Sequence, residues 1–265
     1  MKAWIVGVVT GLVVVASGVG LWVTWDETQT SASDSVALGR PVEVPAGDEI
    51  QSLTADGDSQ APVCTPGDDV VEQDPLEDWQ TVVVDPGHRL RRDFAPPDLV
   101  NVSDAGFERT GDTIRRIVVD DLAALRQAAE ANGTPFIIVS AFRSYEYQQR
   151  LFANQVDEVG ESDAETSTAL PGHSEHQLGT TVDILDPAAA ELTEAFAATP
   201  AGRWVAAHAH EYGFVMSYPN EARDQTCYDF EPWHLRYVGR DTAQRIHDSG
   251  RTPREWMISQ SHALR

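Results

Sequence analysis

The sequence predicts one domain that mixes helices and strands, preceded by an apolar N-terminal segment and an acidic linker. Helical spacing of apolar residues is clearest between Asp112 and Ala131. Short apolar runs rich in β-branched residues, such as Phe136–Val139, alternate with the helical stretches. Hydrophobic residues make up 42% of the 265 residues, a share typical of globular domains with a core. We therefore place a single mixed domain at residues 79–265.

Residues 1–25 predict a membrane-spanning helix. Lys2 precedes an uncharged run from Ala3 to Trp25, which can cross a bilayer at about 1.5 Å per residue and has tryptophans near its ends. We interpret the segment as an uncleaved signal-anchor; the alternative is a cleaved signal peptide, because residues 14–17 weakly resemble a cleavage site. The positive residue should stay inside, so we expect a single-pass protein of the cell membrane whose domain lies outside the cytoplasm.

Residues 26–78 predict a flexible linker. The segment contains fourteen acidic residues and one basic residue, Arg40, with few large apolar side chains. Such a composition cannot bury enough apolar surface to offset the entropy of ordering, and its like charges keep it extended. The whole chain has a formal net charge of −23, from 19 basic and 42 acidic residues. This charge argues against nucleic acid as a partner, because phosphates are neutralised by clustered Lys and Arg.

The two cysteines, Cys64 and Cys227, predict a disulfide. An even number of cysteines outside the cytoplasm favours oxidation to a bridge. The sequence has no Cys-x-x-Cys spacing, so we do not expect either thiol to bind a metal ion. The bond would join the late linker to the segment just before residues 231–234.

The N-terminal half of the domain predicts two strands and two helices. In order, these are a strand at Thr81–Val84 ended by a turn at residues 85–87, a helix from Asp112 to Ala131 ended by Asn132-Gly133, a strand at Phe136–Val139, and a helix from Tyr145 to about Glu158. We interpret His88, beside the first turn, as a single exposed histidine.

The C-terminal half continues the mixture. We first predict a polar loop at 160–169 and a strand at Val182–Leu185, with Val182 and Ile184 facing the core. A helical region at 188–198 and a helix that begins at Pro200 come next. The predicted elements that complete the domain are strands at 213–218 and 228–235 around a turn at Pro219-Asn220, and helices at 242–249 and 253–263. His208 and His210 lie two residues apart and face different sides of a helix, so we assign them to packing or to the surface.

His176 and Asp183 predict two ligands of a metal ion. Imidazole nitrogen and carboxylate oxygen are donors that zinc accepts, with His176 at the mouth of a turn and Asp183 on the strand that comes next. Two ligands do not hold such an ion, and His234 is the candidate third. Glu231 lies three residues before His234, where it can act as a general base on a metal-bound water. His173 competes with His176 on spacing alone, and the helical His-Glu-x-x-His motif is absent.

Arg143 is a candidate for binding negative charge. It stands between a predicted strand and a predicted helix, where side chains often point into a cleft, and Gln148 lies on the first turns of that helix. In a zinc hydrolase such an arginine steadies an oxyanion or holds a substrate carboxylate. The alternative for Arg143 is a surface salt bridge.

Three blocks of sequence succeed one another in a specific order. They are Ser140-Ala141-Phe142-Arg143-Ser144-Tyr145 with Gln148, Ser174-Glu175-His176-Gln177-Leu178-Gly179 with Asp183, and Glu231-Pro232-Trp233-His234-Leu235-Arg236-Tyr237-Val238-Gly239. Together they resemble the VanY-like D-alanyl-D-alanine carboxypeptidases, over residues 82–239. Thr180-Thr181 depart from the small apolar residues that relatives often carry there, a change that we do not expect to affect metal binding.

The resemblance implies a fold, an activity and a set of roles. The fold is a small α+β domain in which helices flank a central antiparallel sheet. The activity is that of a zinc peptidase that trims the C-terminal D-alanine from peptidoglycan stem peptides. The implied zinc ligands are His176, Asp183 and His234. Glu231 is the implied base, and His173 falls outside the implied ligand set. The resemblance also implies that Arg143 and Ser174 contact the substrate or the transition state, with Gln148 as a further candidate for such a contact.

Two alternatives stay open. One is an enzyme of the same fold with L,D-carboxypeptidase or endopeptidase specificity, because pocket shape decides specificity and the motifs do not. The other is a non-catalytic, zinc-bearing module that binds the cell wall, in which loss of Glu231 would be expected. We expect a monomer whose partners are stem peptides and, through residues 1–25, the membrane.

Overall fold

The computed structural model describes residues 64, 70–76, 78–108 and 111–263. Within these ranges the strands are β1 (Val71–Gln73), β2 (His88–Leu90), β3 (Leu99–Asn101), β4 (Thr113–Arg115), β5 (Ile137–Ser140), β6 (Thr181–Leu185), β7 (Phe214–Met216) and β8 (His234–Tyr237). The α-helices are α1 (Val119–Ala131), α2 (Tyr145–Val159), α3 (Glu161–Ser167), α4 (Pro200–His208), α5 (Arg223–Thr226), α6 (Arg240–Ser249) and α7 (Pro253–Ala263).

The central sheet has four strands in the order β5-β6-β8-β7, and each neighbouring pair is antiparallel. This architecture confirms the predicted antiparallel sheet with helices around it. Two pairings bring candidate site residues together. Asp183 on β6 lies opposite His234 on β8, and the end of β5 places Ser140 opposite Asp183 after a register shift.

The core lies where α1 and α4 contact the central sheet. Val182 and Ile184 are fully buried on β6, as predicted, and belong to one cluster with Leu235 of β8 and Phe214 of β7. Helix α1 contributes Leu122, Leu125 and Ala129 to the same cluster, which is the periodic face that the sequence displays. All five residues of β6 are buried, so this strand runs through the interior.

Two predicted elements of the N-terminal half differ from the structure. The prediction of a strand at Thr81–Val84 is wrong: these residues pair with no strand, although Val82 and Val84 are buried against Leu90 and Phe94. The predicted helix from Asp112 begins only at Val119, because Thr113–Arg115 instead pairs with β3. In both places the composition suggested a regular element, whereas the backbone partner that decides between strand, loop and helix was not predicted.

The C-terminal half shows three similar differences. The polar loop predicted at 160–169 contains α3, and the predicted helical region at 188–198 is reduced to a 3₁₀ helix at Glu194–Ala198. The strand predicted at 228–235 begins only at His234 and ends at Tyr237, and the short helix α5 stands between β7 and β8. The helices predicted from Pro200 and at 253–263 are confirmed.

The segment before Trp79 is described only in part. Strand β1 lies within the range assigned to the linker and pairs in parallel with β2. The predicted membrane segment, residues 1–25, and most of the linker lie outside the described residues. Among the helices that the structure describes, none has the length and apolar character needed to cross a bilayer.

Cys64 and Cys227 form a disulfide, as the sequence predicts. Their Cα atoms are 5.1 Å apart and the bond closes a loop with a sequence separation of 163 residues. Cys227 directly follows α5 and directly precedes Tyr228. The disulfide therefore fastens the chain before β1 to the segment that leads into β8.

Removing this disulfide is expected to destabilise the domain. In Cys64→Ser the free energy of unfolding should fall by about 2–5 kcal/mol, since a cross-link over a long loop restricts the unfolded chain. Urea unfolding of the oxidised protein and of the variant gives this difference. The double variant Cys64→Ser/Cys227→Ser should match the single one, and equal stability of all three proteins would contradict the prediction.

Candidate metal centre

His176, Asp183 and His234 lie together in the structure. Each offers a ligand atom, and these atoms all lie within 4.8 Å of one another. Nε2 of His176 is 3.3 Å from Oδ2 of Asp183, and Nδ1 of His234 is 3.5 Å from Oδ1 of the same carboxylate. All three side chains are buried. The side chains that the sequence predicted as a ligand set are thus brought together from a turn and two strands.

Local backbone geometry brings His176 and Asp183 side by side. His176 lies in a 3₁₀ helix, Glu175–Leu178, which ends at Gly179 with a positive φ of 69°. A Cβ on Gly179 would lie only 3.0 Å from the side chains of Leu99 and Arg115, so both the positive φ and the tight surroundings favour glycine at this turn. Two residues later β6 begins and carries Asp183 back past the turn.

Hydrogen bonds decide which nitrogen of His176 faces the centre. Its Nδ1 is 2.7 Å from the backbone carbonyl oxygen of Ala141, which can only accept a hydrogen bond. Nδ1 therefore carries the proton and Nε2 presents its lone pair to the centre. Burial and the nearby Arg143 guanidinium lower the pKa of His176 to about 4, so the ring is neutral and able to bind a metal ion.

His234 faces the centre with its other nitrogen. Nε2 of His234 lies 3.0 Å from Oε2 of Glu175, while Nδ1 faces Asp183 and Glu231. Burial alone would lower the pKa of His234, but its interactions with the nearby carboxylates of Asp183, Glu175 and Glu231 outweigh burial and hold the pKa well above its usual range. A metal ion that binds Nδ1 must therefore displace a proton from this ring.

The donor set fits zinc. Two imidazole nitrogens and one carboxylate are a recurrent catalytic zinc set that leaves a fourth position for water. Burial would raise the pKa of Asp183, yet its interactions with His176 and Arg143 hold the pKa well below the usual range, so the carboxylate is ionised. Oδ1 of Asp183 is buried and has no hydrogen-bond partner among the described residues. A bound cation would satisfy this oxygen.

Glu231 lies beside the three candidate ligands without belonging to their set. Its Oε2 is 3.3 Å from Nδ1 of His234, and 18% of its side chain is exposed. Burial raises the pKa of Glu231 above the usual value, although the hydrogen bond with His234 opposes the shift. A carboxylate of raised pKa at the mouth of a metal centre is suited to take up a proton and release it again.

Arg143 reaches the centre from the junction between β5 and α2, as predicted. Its Nη2 lies 2.5 Å from Oδ2 of Asp183 and 2.9 Å from Nε2 of His176. Nε2 has one lone pair, so this second contact and a metal bond at Nε2 exclude each other. Arg143 also donates from Nε to Ser140 Oγ at 2.9 Å and from Nη1 to Gln148 Oε1 at 3.4 Å. The guanidinium is therefore held at the centre from two sides.

A cleft of about 180 Å³ opens over the metal centre. Its walls include apolar, aromatic and hydroxyl side chains: Leu151, Ser167, Thr168, Ala169, Ser174, Leu192, Tyr218, Tyr228 and Trp233. Ser174 is almost fully buried at the cleft wall, where the sequence expects a substrate contact. Gln148 is buried, contacts Arg143, and donates to the carbonyl oxygen of Ala169 at 2.8 Å. The structure thus places Gln148 behind Arg143.

The other histidines that the sequence analysis discusses lie outside the candidate ligand set. His173 is buried with Nδ1 2.7 Å from the carbonyl oxygen of Asp85, away from the three ligands. The interpretation of His88 as a single exposed histidine is wrong, since its ring pairs with the buried Asp85 at 2.8 Å and only 29% of its side chain is exposed. His208 pairs with Glu211 next to Trp204, and His210 stacks on His247, which agrees with packing and surface roles.

Sequence reasoning missed the buried residues behind His234. Glu175 accepts hydrogen bonds from His234, Arg236 and Ser217. Burial alone would raise the pKa of Glu175, but the charge of Arg236 and these hydrogen bonds lower it to about 2. One signal could have pointed to Arg236: it lies two residues after His234, hence on the same face of the strand, whose other face carries Leu235 and Tyr237.

Comparison with known proteins gives consistent matches. The family model for VanY, D-alanyl-D-alanine carboxypeptidase, matches residues 111–240. The putative carboxypeptidase YodJ of Bacillus subtilis strain 168 is 37% identical over 198 residues, covering 71% of this chain and 72% of YodJ. Among solved structures, the chain is similar to the LdcB LD-carboxypeptidase, whose structure reveals the molecular basis of its peptidoglycan recognition. The two are 36% identical with a TM-score of 0.65, and the match covers 72% of this chain and 91% of LdcB.

A second solved structure includes the metal. It is a point mutant of the vancomycin resistance D,D-pentapeptidase VanY in complex with Zn(II), with 29% identity and a TM-score of 0.59, covering 68% of this chain and 99% of that chain. The fold and the buried centre together define a metal-dependent peptidase. More specifically, the chain belongs to the VanY-like D-alanyl-D-alanine carboxypeptidase family.

Replacing His234 by alanine is expected to abolish stoichiometric zinc binding, because two remaining ligands do not hold the ion. Zinc content after dialysis, measured by mass spectrometry, checks this. His173→Ala is the matched control, since this histidine is also buried but bonds Asp85, and it should keep its zinc. A full equivalent of zinc in His234→Ala would show that the ligand is another residue.

Proposed function

We propose that this chain is a zinc-dependent D,D-carboxypeptidase that removes the C-terminal D-alanine from peptidoglycan stem peptides. The observation that carries the proposal is the meeting of His176, Asp183 and His234, with Glu231 beside them as an additional carboxylate. The family model supports the class of substrate. Glu231 is present at the position where a non-catalytic wall-binding module would be expected to lack it.

The proposed mechanism assigns one role to each side chain. Zinc, when bound, polarises the scissile carbonyl and lowers the pKa of its water to about 7. Glu231 accepts the proton of the attacking water and passes it to the leaving amine of the D-alanine. Its raised pKa suits both steps, since the same carboxyl group must gain and then lose the proton.

Arg143 and Ser174 are proposed to hold the substrate. The Arg143 guanidinium lines the cleft and has several N–H donors, which suits the terminal carboxylate of a stem peptide or the oxyanion that forms at the carbonyl. Ser174 lines the same cleft with a hydroxyl that can donate to the peptide backbone. Gln148 orients Arg143 through its hydrogen bond, and the cleft has the apolar wall that a methyl side chain needs.

An L,D-carboxypeptidase is the second candidate. LdcB, an LD-carboxypeptidase, shares 36% identity with this chain, against 29% for the VanY D,D-pentapeptidase, and has the higher TM-score. Both activities need the same metal centre and base. They differ in whether the residue before the scissile bond has the D or the L configuration, which the cleft walls must distinguish.

We further propose that the domain works at the outer side of the cell membrane. The apolar run from Ala3 to Trp25 supports anchoring, and the disulfide supports an oxidising compartment. An acidic linker would then allow the domain to reach peptidoglycan at some distance from the bilayer.

Incubation with synthetic stem peptides is expected to separate the two activities. A pentapeptide ending in D-Ala-D-Ala should lose one D-alanine, whereas a tetrapeptide ending in a single D-alanine should stay intact, with products identified by mass. A metal chelator should stop the reaction and added zinc should restore it. Cleavage of the tetrapeptide alone would replace the D,D proposal by the L,D candidate, and no cleavage of either peptide would contradict both.

Glu231→Gln is expected to lower kcat by roughly 10²–10⁴-fold, since general-base help is lost. Its zinc content should equal that of the unsubstituted protein, because Glu231 is not one of the three ligands. Steady-state kinetics on the cleaved stem peptide, together with metal analysis, checks both statements. Unchanged kcat in this variant would remove Glu231 from the mechanism.

A further inference from the structure

A buried ion pair lies directly behind His234. Oε1 of Glu175 accepts a hydrogen bond from Nη1 of Arg236 at 2.7 Å. Oε2 of Glu175 accepts from Ser217 Oγ at 2.6 Å and lies 3.0 Å from Nε2 of His234. All four side chains are buried. The proposed mechanism uses neither Glu175 nor Arg236, although a buried charged pair is costly to maintain.

We propose that Glu175 is a positioning residue that holds His234 in the orientation and tautomer that bind the metal through Nδ1, and that Arg236 holds Glu175 in place. The proposal rests on the proposed function only through its zinc ion. It extends the site from the side chains around the metal to a second layer that determines how one of them is presented.

The assignment is dictated by donors and acceptors. A carboxylate can only accept hydrogen bonds, so the nitrogen of His234 that faces Glu175 must carry a proton. That nitrogen is Nε2, which leaves the lone pair of a neutral ring on Nδ1, the atom that faces Asp183. His176 is presented by the opposite nitrogen, because its acceptor is the carbonyl oxygen of Ala141. Each of the two histidines thus donates to an acceptor of its own behind it, an arrangement that generally tunes metal affinity.

Arg236 is needed to direct the carboxylate. It binds Oε1 of Glu175 and thereby leaves Oε2 for His234 and Ser217. Nη2 of Arg236 donates in turn to the carbonyl oxygens of Trp79 at 3.1 Å and Val82 at 2.7 Å. The segment Trp79–Val82, which pairs with no strand, therefore supports the metal centre through Arg236 and Glu175. This contact gives a physical reason for the irregular but buried backbone at that place.

The variant Glu175→Gln tests the proposal because it keeps the shape and changes the hydrogen-bond pattern. An amide has one accepting and one donating end, so in either orientation its NH₂ group faces a donor, His234 Nε2–H or Arg236. We expect zinc affinity of the full chain, measured by competition with a chromophoric chelator, to fall about 10–100-fold. In the zinc-loaded protein, the imidazole N–H resonance of His234 should lose its downfield shift and exchange faster with water, because its charged acceptor is gone.

Two further variants separate positioning from folding. Ser217→Ala removes a donor to Oε2 but leaves the contact with His234, so the zinc affinity and the N–H resonance should stay close to those of the unsubstituted protein. Glu175→Met/Arg236→Met removes both buried charges, which avoids the uncompensated arginine that Glu175→Gln leaves. This double variant should fold, which circular dichroism checks. Its zinc affinity should be about 10–100-fold lower than that of the unsubstituted protein.

Unchanged zinc affinity in Glu175→Gln and in the folded double variant, with the His234 resonance unmoved, would overturn the proposal. Neither readout depends on peptide hydrolysis. A protein that cleaves no stem peptide but shows the expected loss of zinc affinity would contradict the proposed activity and support the positioning role. Normal hydrolysis together with unchanged zinc affinity in both variants would support the proposed activity and contradict the positioning role of Glu175.

Discussion

The pairing of β6 with β8 is the constraint on which the site depends. In this antiparallel pair Asp183 lies opposite His234, and Val182 lies opposite Leu235. Side chains directly opposite each other on one face of a sheet are close neighbours, so the register alone brings carboxylate and imidazole together. A slip of one residue would also turn Val182 and Ile184 away from the apolar cluster that they now share with Leu235 and Phe214. Burial of the apolar side chains on one face thus fixes the position of Asp183, the candidate metal ligand, on the other face.

The site concentrates charge in an interior from which charge is usually excluded. Three carboxylates, Glu175, Asp183 and Glu231, lie close to one another around His234. Two arginines offset them: Arg143 contacts Asp183, and Arg236 contacts Glu175. The chain as a whole is negatively charged, and so is the terminal carboxylate of the proposed substrate. Local positive charge from Arg143 and the metal therefore has to attract the substrate, while salt screens the distant acidic surface within about 10 Å.

The two errors in the predicted secondary structure of the N-terminal half share one cause. Thr81–Val84 has the composition of a strand and is largely buried, but the carbonyl oxygen of Val82 binds Arg236 and no neighbouring strand pairs with the segment among the described residues. Thr113–Arg115 precedes a helical pattern and becomes a strand because β3 lies beside it. Burial can be predicted from the residues themselves, whereas a backbone partner comes from elsewhere in the chain. His88 was misjudged for the same reason, since Asp85 is buried only in the folded domain.

The sequence by itself determined the mixed fold class, through the periodicity of its apolar residues, and the disulfide partners, because the chain has two cysteines. Residue types and spacing also identified Asp183, His234, Glu231 and Arg143 as site candidates, whereas the choice of His176 over His173 came from the family resemblance. Only the tertiary structure decided which nitrogen of each histidine faces the metal, and that Glu175 and Arg236 stand behind His234. The physical reason is that a hydrogen-bond acceptor acts over about 3 Å in space, and sequence separation does not reveal which groups lie within that distance.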